Sequence, residues 1–265
     1  MSFSVSDYLN ALAPTTFGSL VRYESHTEST NTLAKHLPDT EASHGTVVIA
    51  DHQSSGRGQY QRSWLSAPAQ NLTFSVVLTP GRSKGISLLK QVAALAVSDA
   101  LAELGLRSIR IKWPNDVLVE NRKIAGILVE AVFKGASLAR VVVGIGLNVH
   151  QTEFPDEVRY LATSIALAGG PTCTREVVLA AVMRAFERRY SQWERMDPLL
   201  KSDIQTHVIG MGTWCQIRID NVPQEEKVKP VGVDDDGQLI VVTEQLRPYT
   251  FTHQDVRIDR PAEPL

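Results

Sequence analysis

The sequence predicts an α+β protein: a mixed β-sheet carrying helices, followed by a small all-β unit. Three observations carry this. Apolar runs of strand length at residues 46–50, 71–78 and 140–148 are interspersed with stretches of helical periodicity. Several connections, such as Glu120-Asn121-Arg122, are too short for a crossover helix, so antiparallel hairpins share the sheet. Past about His207 the helical pattern stops and short strands follow at close spacing.

Residues up to about Tyr23 form a short lead with one helical turn near residues 6–12. Ser29 opens a helical pattern through Leu33, Ala34 and Leu37. The strand at 46–50 runs into a glycine-rich polar loop over residues 51–63, and residues 71–78 return as a strand. Residues 85–104 form a long helix with Leu88, Leu89, Val92, Leu95, Ala96, Leu101 and Leu104 on one broad face, closed by Gly105. Residues 108–113 form a strand that Pro114 ends or holds at an edge, because proline cannot donate to a ladder. Residues 117–119 resume the strand and residues 124–133 return, so Lys123 starts the return strand close to Asn115 and Asp116. Thr174 caps a second long helix, with Glu176 in its first turn and Val178, Leu179, Val182, Met183, Phe186 and Tyr190 inward. Strands at 213–219, 227–233, 239–242 and 249–251 make a small barrel. Asp234-Asp235-Asp236-Gly237 is its solvated hairpin turn, with the glycine available for positive φ. The expected units are residues 1–206 and 207–265.

Bulk properties remove several function classes. A hydrophobic fraction of 43% and a charged fraction of 21% fit a soluble globular chain. The formal net charge of -2 leaves no electrostatic footprint for nucleic acid. Cys173 and Cys215 are too few for a disulfide framework and fit a reducing compartment. No secretory signal opens the chain, and no apolar run approaches the ~20 residues that span a bilayer. The expectation is a cytoplasmic protein without membrane attachment. His44 and His52 show no metal-ligand spacing, the three aspartates lack the spacing of a calcium loop, and no Gly-x-Ser-x-Gly supports hydrolase chemistry.

Four segments carry chemistry. The most informative is Lys112-Trp113-Pro114-Asn115-Asp116, followed by Arg122-Lys123-Ile124-Ala125-Gly126. A carboxylate, an amide and a lysine converging at strand ends suit a phosphate-bearing substrate with a metal ion. Ser29-Thr30-Asn31 reads either as a helix cap or as hydroxyl and amide partners for a polar ligand group. In the segment from Gln53 to Trp64, glycines around Arg57 let backbone and guanidinium approach an anion. Gly144-Ile145-Gly146-Leu147-Asn148 puts two glycines in a strand. That reads either as a bulge with a turn-forming asparagine or as a floor for a flat ligand.

Together, and in this order, the four segments resemble those of biotin–protein ligases, over roughly residues 23–258. The resemblance implies a class II synthetase-like catalytic domain followed by an SH3-like barrel. It implies ATP and biotin as substrates, with Mg²⁺. Biotin would be activated as biotinyl-5′-AMP and passed to a lysine of a biotin carboxyl carrier protein. Ser29, Thr30, Asn31, Gln53, Gly56, Arg57, Lys123, Gly126 and Gly144 would hold biotin. Arg57, Arg62, Trp64, Asn115, Asp116, Lys123 and Asn148 would hold ATP or the adenylate, and Lys123, Asp116 and Arg57 would be catalytic. Three roles stay open for Asp116: orienting the incoming lysine, helping remove its proton, or organising Mg²⁺. The chain departs from the common family loop, Gly-Arg-Gly-Arg-x-Gly-Arg-x-Trp, at Gln59 and Gln61, which predicts looser retention of the adenylate. The short lead predicts a monofunctional ligase that binds no DNA, as monomer or homodimer. Two alternatives stand beside this: a lipoate or octanoate ligase or transferase of the same fold, and a non-catalytic sensor of biotin or biotinyl-AMP.

Overall fold

A computed structural model describes residues 2–219, 222–251 and 256–258. The remaining residues of the expected second unit, including the proline-rich tail, lie outside the described residues. The elements run α1 (Val5–Ala11), β1 (Val21–Thr27), α2 (Thr30–His36), β2 (Val47–Gln53), β3 (Leu72–Leu78), α3 (Leu89–Glu103), β4 (Ile109–Lys112), β5 (Asp116–Val119), β6 (Arg122–Lys134), β7 (Ser137–Leu147), α4 (Arg175–Glu194) and α5 (Pro198–His207). After these come β8 (Ile217–Ile219), β9 (Val222–Pro223), β10 (Val228–Val233), β11 (Leu239–Thr243), β12 (Pro248–Phe251) and β13 (Val256–Ile258).

The expected mixed sheet is present. Seven strands lie in the order β1-β2-β3-β7-β6-β5-β4, with β1 and β2 parallel and every other pair antiparallel. The later strands form two three-stranded antiparallel sheets, β10-β11-β12 and β13-β8-β9, consistent with the small barrel expected. α3 and α4 pack together against the large sheet.

Three expectations need correction. The lead was not expected to contain a strand, yet Val21–Thr27 pairs in parallel with β2. Its alternation is weak, and long-range pairing decides it rather than local pattern. α5 was also not foreseen. Asp197 caps it through Leu199 N–H at 3.0 Å and Pro198 opens it. α3 is buried on nearly all sides rather than along one face, since Gln91, Ala93, Ala94, Val97 and Ser98 are buried too. Small residues on its second face let α4 approach closely. Its first turn, Ile86–Leu88, is a tighter 3-10 helix.

The Asp234–Gly237 turn is fastened to the larger unit rather than merely solvated. Asp236 Oδ1 accepts Gly85 N–H at 3.0 Å, and Gly237 O accepts Gln91 Nε2 at 3.2 Å and the Trp113 indole N–H at 3.3 Å. Gly237 has φ +75°, and a Cβ there would lie 2.8 Å from Leu88 Cα, so the close approach requires glycine. Val208 bridges Ile111 on β4, which continues the large sheet up to the expected boundary between units.

Candidate functional site

The four segments converge on one cleft of about 290 Å³ above the middle of the large sheet. Its floor is set by register. Gly126 of β6 pairs with Gly146 of β7, Leu128 pairs with Gly144, and Asp116 of β5 pairs with Gly126. A register shift between Val117 and Leu118 then brings Lys123 opposite Leu118. The Lys123 Nζ lies 2.6 Å from Asp116 Oδ1 and 5.6 Å from the Trp64 ring centre. Its backbone is clamped as well: its N–H donates to Leu161 O at 2.7 Å and its carbonyl accepts Thr163 N–H at 2.8 Å. Asn115 is pinned to Ile127 twice, its carbonyl accepting Ile127 N–H and its Nδ2 donating to Ile127 O, both at 2.9 Å. The turn that brings Lys123 back uses Glu120 and Asn121 at positive φ, and the Trp113–Pro114 peptide before Asn115 is cis.

One end of the cleft is neutral and hydrogen-bonding. Ser29 occupies the cap position of α2, but its hydroxyl makes no capping bond, which removes the cap as an explanation for it. Thr30 and Asn31 are buried beside it. The Gln53 Oε1 accepts Thr30 N–H at 2.7 Å and lies 3.1 Å from Thr30 Oγ1. The Ser75 hydroxyl is 2.8 Å from Thr30 Oγ1 and 2.6 Å from Asn31 Oδ1. The Asn31 Nδ2 donates to Glu130 Oε2 at 2.8 Å, and Lys35 Nζ pairs with Glu130 Oε1 at 2.8 Å. Burial works to raise the Glu130 pKa. The Lys35 and Asn31 hydrogen bonds and the Lys35 and Arg57 charges outweigh it and hold the carboxyl below its ordinary value.

The other end is cationic, lined by Lys112, Lys123 and Arg62. Here the 53–64 loop closes on itself: Trp64 N–H donates to Gly56 O at 2.9 Å and Gly58 N–H to Arg62 O at 2.7 Å. A Cβ on Gly56 would lie 2.7 Å from Trp64 O, so that glycine permits the closure.

The strand glycines serve a purpose the sequence did not reveal. Each cradles a side chain of this protein. A Cβ on Gly146 would lie 2.2 Å from the Trp64 ring, and one on Gly144 would lie 2.1 Å from Asn31 Oδ1. A flat group does lie on the strand, and it is the Trp64 indole. Among the described residues its buried Nε1 has no hydrogen-bond partner.

Most expected site residues line this cleft: Ser29, Thr30, Asn31, Gln53, Arg57, Arg62, Trp64, Asn115, Asp116, Lys123, Gly126 and Gly144. Two do not. Gly56 supports the loop from behind. Asn148 is buried, with its Nδ2 donating to Thr163 O at 2.9 Å and, among the described residues, no partner for its Oδ1. The Arg57 guanidinium leans outward to Thr32 Oγ1 at 2.7 Å and to Glu130 at 4.0 Å. Sequence reasoning missed Ser75, Glu130 and Lys35. A signal existed: Thr73 and Ser75 are polar on one face of an otherwise apolar strand, and Glu130 interrupts the apolar run of β6. Among the described residues no three acidic, histidine or cysteine groups gather to hold a metal, and no helix is long and apolar enough to cross a membrane.

Residues 23–148 match the Biotin/lipoate A/B protein ligase family. The chain is 32% identical over 250 residues to the bifunctional ligase/repressor BirA of Bacillus subtilis, covering 91% of this chain and 75% of that protein. It is 34% identical over 204 residues to the biotin–[acetyl-CoA-carboxylase] ligase of Mycobacterium tuberculosis, covering 74% and 72%. The fold is similar to that of the Aquifex aeolicus biotin protein ligase in complex with biotin and ATP. The TM-score there is 0.77 at 27% identity, over 92% of this chain and 100% of that one.

Proposed function

Because the chain belongs to the biotin–protein ligase family, we propose that its cleft activates biotin as biotinyl-5′-AMP and transfers it to a lysine of a biotin carboxyl carrier protein. One observation carries the assignment of the cleft: a neutral hydrogen-bonding end and a cationic end meet at Lys123, 2.6 Å from Asp116. Biotin has the same polarity, a neutral ureido ring at one end and a carboxylate at the other.

Thr30, Asn31 and Gln53 suit the ureido group, which offers two N–H donors and one carbonyl. Lys123 meets the biotin carboxylate and the α-phosphate of ATP. A carboxylate oxygen attacks phosphorus, the bond to the β-phosphate oxygen breaks, and pyrophosphate leaves with the electron pair. Charge builds on the phosphate oxygens during this step, and a fixed ammonium stabilises it more than mobile water does. Arg62 and Arg57 hold the phosphates, and Arg57 swings in from Thr32 to do so. In the second half-reaction the carrier's amine attacks the biotinyl carbonyl carbon, the anhydride C–O bond breaks, and AMP leaves. The amine proton is lost next to Asp116, whose carboxylate orients the nucleophile or takes that proton.

Mg²⁺ accompanies ATP in this proposal. Asp116 and the Asn115 Oδ1 stand at adjacent positions, a small oxygen set that fits a cation carried mainly by substrate phosphates. They would hold it, and when bound it withdraws charge from the phosphates.

Biotin-dependent ATP–pyrophosphate exchange, with lipoate as control, tests the function. Exchange with biotin alone is expected. Exchange with lipoate alone would reassign the substrate, and biotin binding without exchange would make the protein a sensor. Two variants test the site. Gly144→Ala places a methyl where Asn31 Oδ1 sits. Overpacking of this kind costs about 1–3 kcal/mol, so biotin binding should weaken roughly tenfold. Unchanged affinity by calorimetry would remove Asn31 from the biotin end. Gln59→Arg should slow adenylate loss after gel filtration by about two- to thirtyfold, because charged hydrogen bonds are worth roughly 1.5–3 kcal/mol against about 1 for neutral ones. Equal retention would show that Gln59 does not set the leak.

A further inference from the structure

Glu130 lies outside every segment that marks the site in the sequence, yet it ties together the three parts that build the biotin end. It sits on β6, paired with Val142 of β7. Asn31 and Lys35 project toward it from one face of α2, four residues apart. Arg57 reaches it from the glycine-rich loop at 4.0 Å. One carboxylate oxygen takes Lys35 at 2.8 Å and the other takes the Asn31 amide at 2.8 Å.

The contact with Asn31 carries information. A carboxamide has two faces of nearly equal shape and opposite hydrogen-bonding sense. Rotating it by half a turn exchanges an acceptor for a donor. The Ser75 hydroxyl on the other side can donate or accept, so it does not discriminate between the two orientations. An ionised carboxylate only accepts, so Glu130 does discriminate. With Nδ2 committed to Glu130, Oδ1 is turned to Ser75 and lies over Gly144, with a lone pair to spare for a ligand N–H. Lys35 keeps Glu130 in the acceptor-only form.

We propose that Glu130 is a positioning residue that fixes the orientation of the Asn31 carboxamide, and so makes the biotin end present an acceptor to a ureido N–H. This rests on the assignment of that end to biotin. It predicts a selective effect on biotin affinity, because Asn31 lies at the ring end, away from the Lys123–Asp116 pair.

The test is a double-mutant cycle of Glu130→Gln and Asn31→Ala, read by pyrophosphate exchange on the full chain. The glutamine keeps the size of Glu130 but can offer Asn31 an N–H, so the orientation is no longer enforced. The expected result is a biotin KM raised about tenfold, equivalent to about 1.4 kcal/mol. The kcat should change far less than the biotin KM, and in the Asn31→Ala background the substitution should have no further effect on biotin KM. A brace between α2 and the sheet would behave differently. Additive losses in both backgrounds, or a fall in kcat and Tm with biotin KM unchanged, would overturn the proposal. Wild-type protein run in parallel separates the two assignments: its failure to exchange with biotin would overturn the biotin end itself and this inference with it.

Discussion

Lys123→Ala is expected to lower biotin-dependent pyrophosphate exchange by about 100- to 1,000-fold, the cost of removing one fixed donor from a developing oxyanion. Among the described residues no other cation stands where Lys123 does, with its ammonium 2.6 Å from Asp116 and beside the Trp64 ring. The backbone bonds to Leu161 and Thr163 hold the residue independently of its side chain, so the fold should survive truncation. Thermal denaturation of the variant should therefore match wild type, and biotin binding should weaken far less than exchange. Removal of the lysine also leaves Asp116 without its partner. Asp116→Asn measured alongside separates loss of the donor from that of the ion pair. If Lys123→Ala retains exchange within about fivefold of wild type, Lys123 is not the group that meets the transferring phosphate.

The largest expected effect on stability lies on the far side of the sheet. Asp51→Ala should destabilise the protein by about 3–5 kcal/mol, because it breaks a buried ion pair with Arg175 and takes the shared acceptor from the Tyr23 hydroxyl and the Phe3 N–H. The Arg175 side chain is 4% exposed and that of Asp51 10%, with the guanidinium 2.8 Å from Asp51 Oδ1. Asp51 also accepts the Tyr23 hydroxyl at 2.8 Å and the Phe3 N–H at 3.3 Å. One carboxylate thus joins the N-terminal segment, β1, β2 and the start of α4. Burial, the hydrogen bond to Asp51 and its charge push the Tyr23 hydroxyl pKa above its ordinary value, so it stays a donor through the neutral range. Urea unfolding is the measurement. A loss under about 1 kcal/mol would mean that the Asn71 carbonyl, which Arg175 already reaches at 3.2 Å, and water satisfy the guanidinium.

These two residues differ in how visible they are in the sequence. Lys123 was legible because a proline, a turn and a change of strand direction are local events. Pro114 cannot extend a ladder, Glu120-Asn121 turns the chain, and the lysine must return near Asp116. The same locality made Thr174, Gly105 and the Asp234–Gly237 hairpin readable, since each expresses a backbone preference within a few residues. Asp51 and Glu130 were not legible. Asp51 meets Arg175 at a separation of 124 residues, and Glu130 meets Asn31 at a separation of 99. β1 was missed for the same reason, because its partner rather than its composition makes it a strand.

Local pattern along the chain therefore carries the chemistry on offer and the elements that hold it: the lysine–aspartate pair, the arginine loop, the mixed sheet and the later β unit. Spacing, turn residues and periodicity act over a few positions and survive without the fold. The tertiary structure alone decided what occupies the glycine floor, with Trp64 over Gly146 and Asn31 over Gly144. It alone decided that the three-aspartate turn docks on Gly85, and that Glu130 meets Asn31. Strand register and helix packing set those contacts between distant positions, and no local preference encodes them.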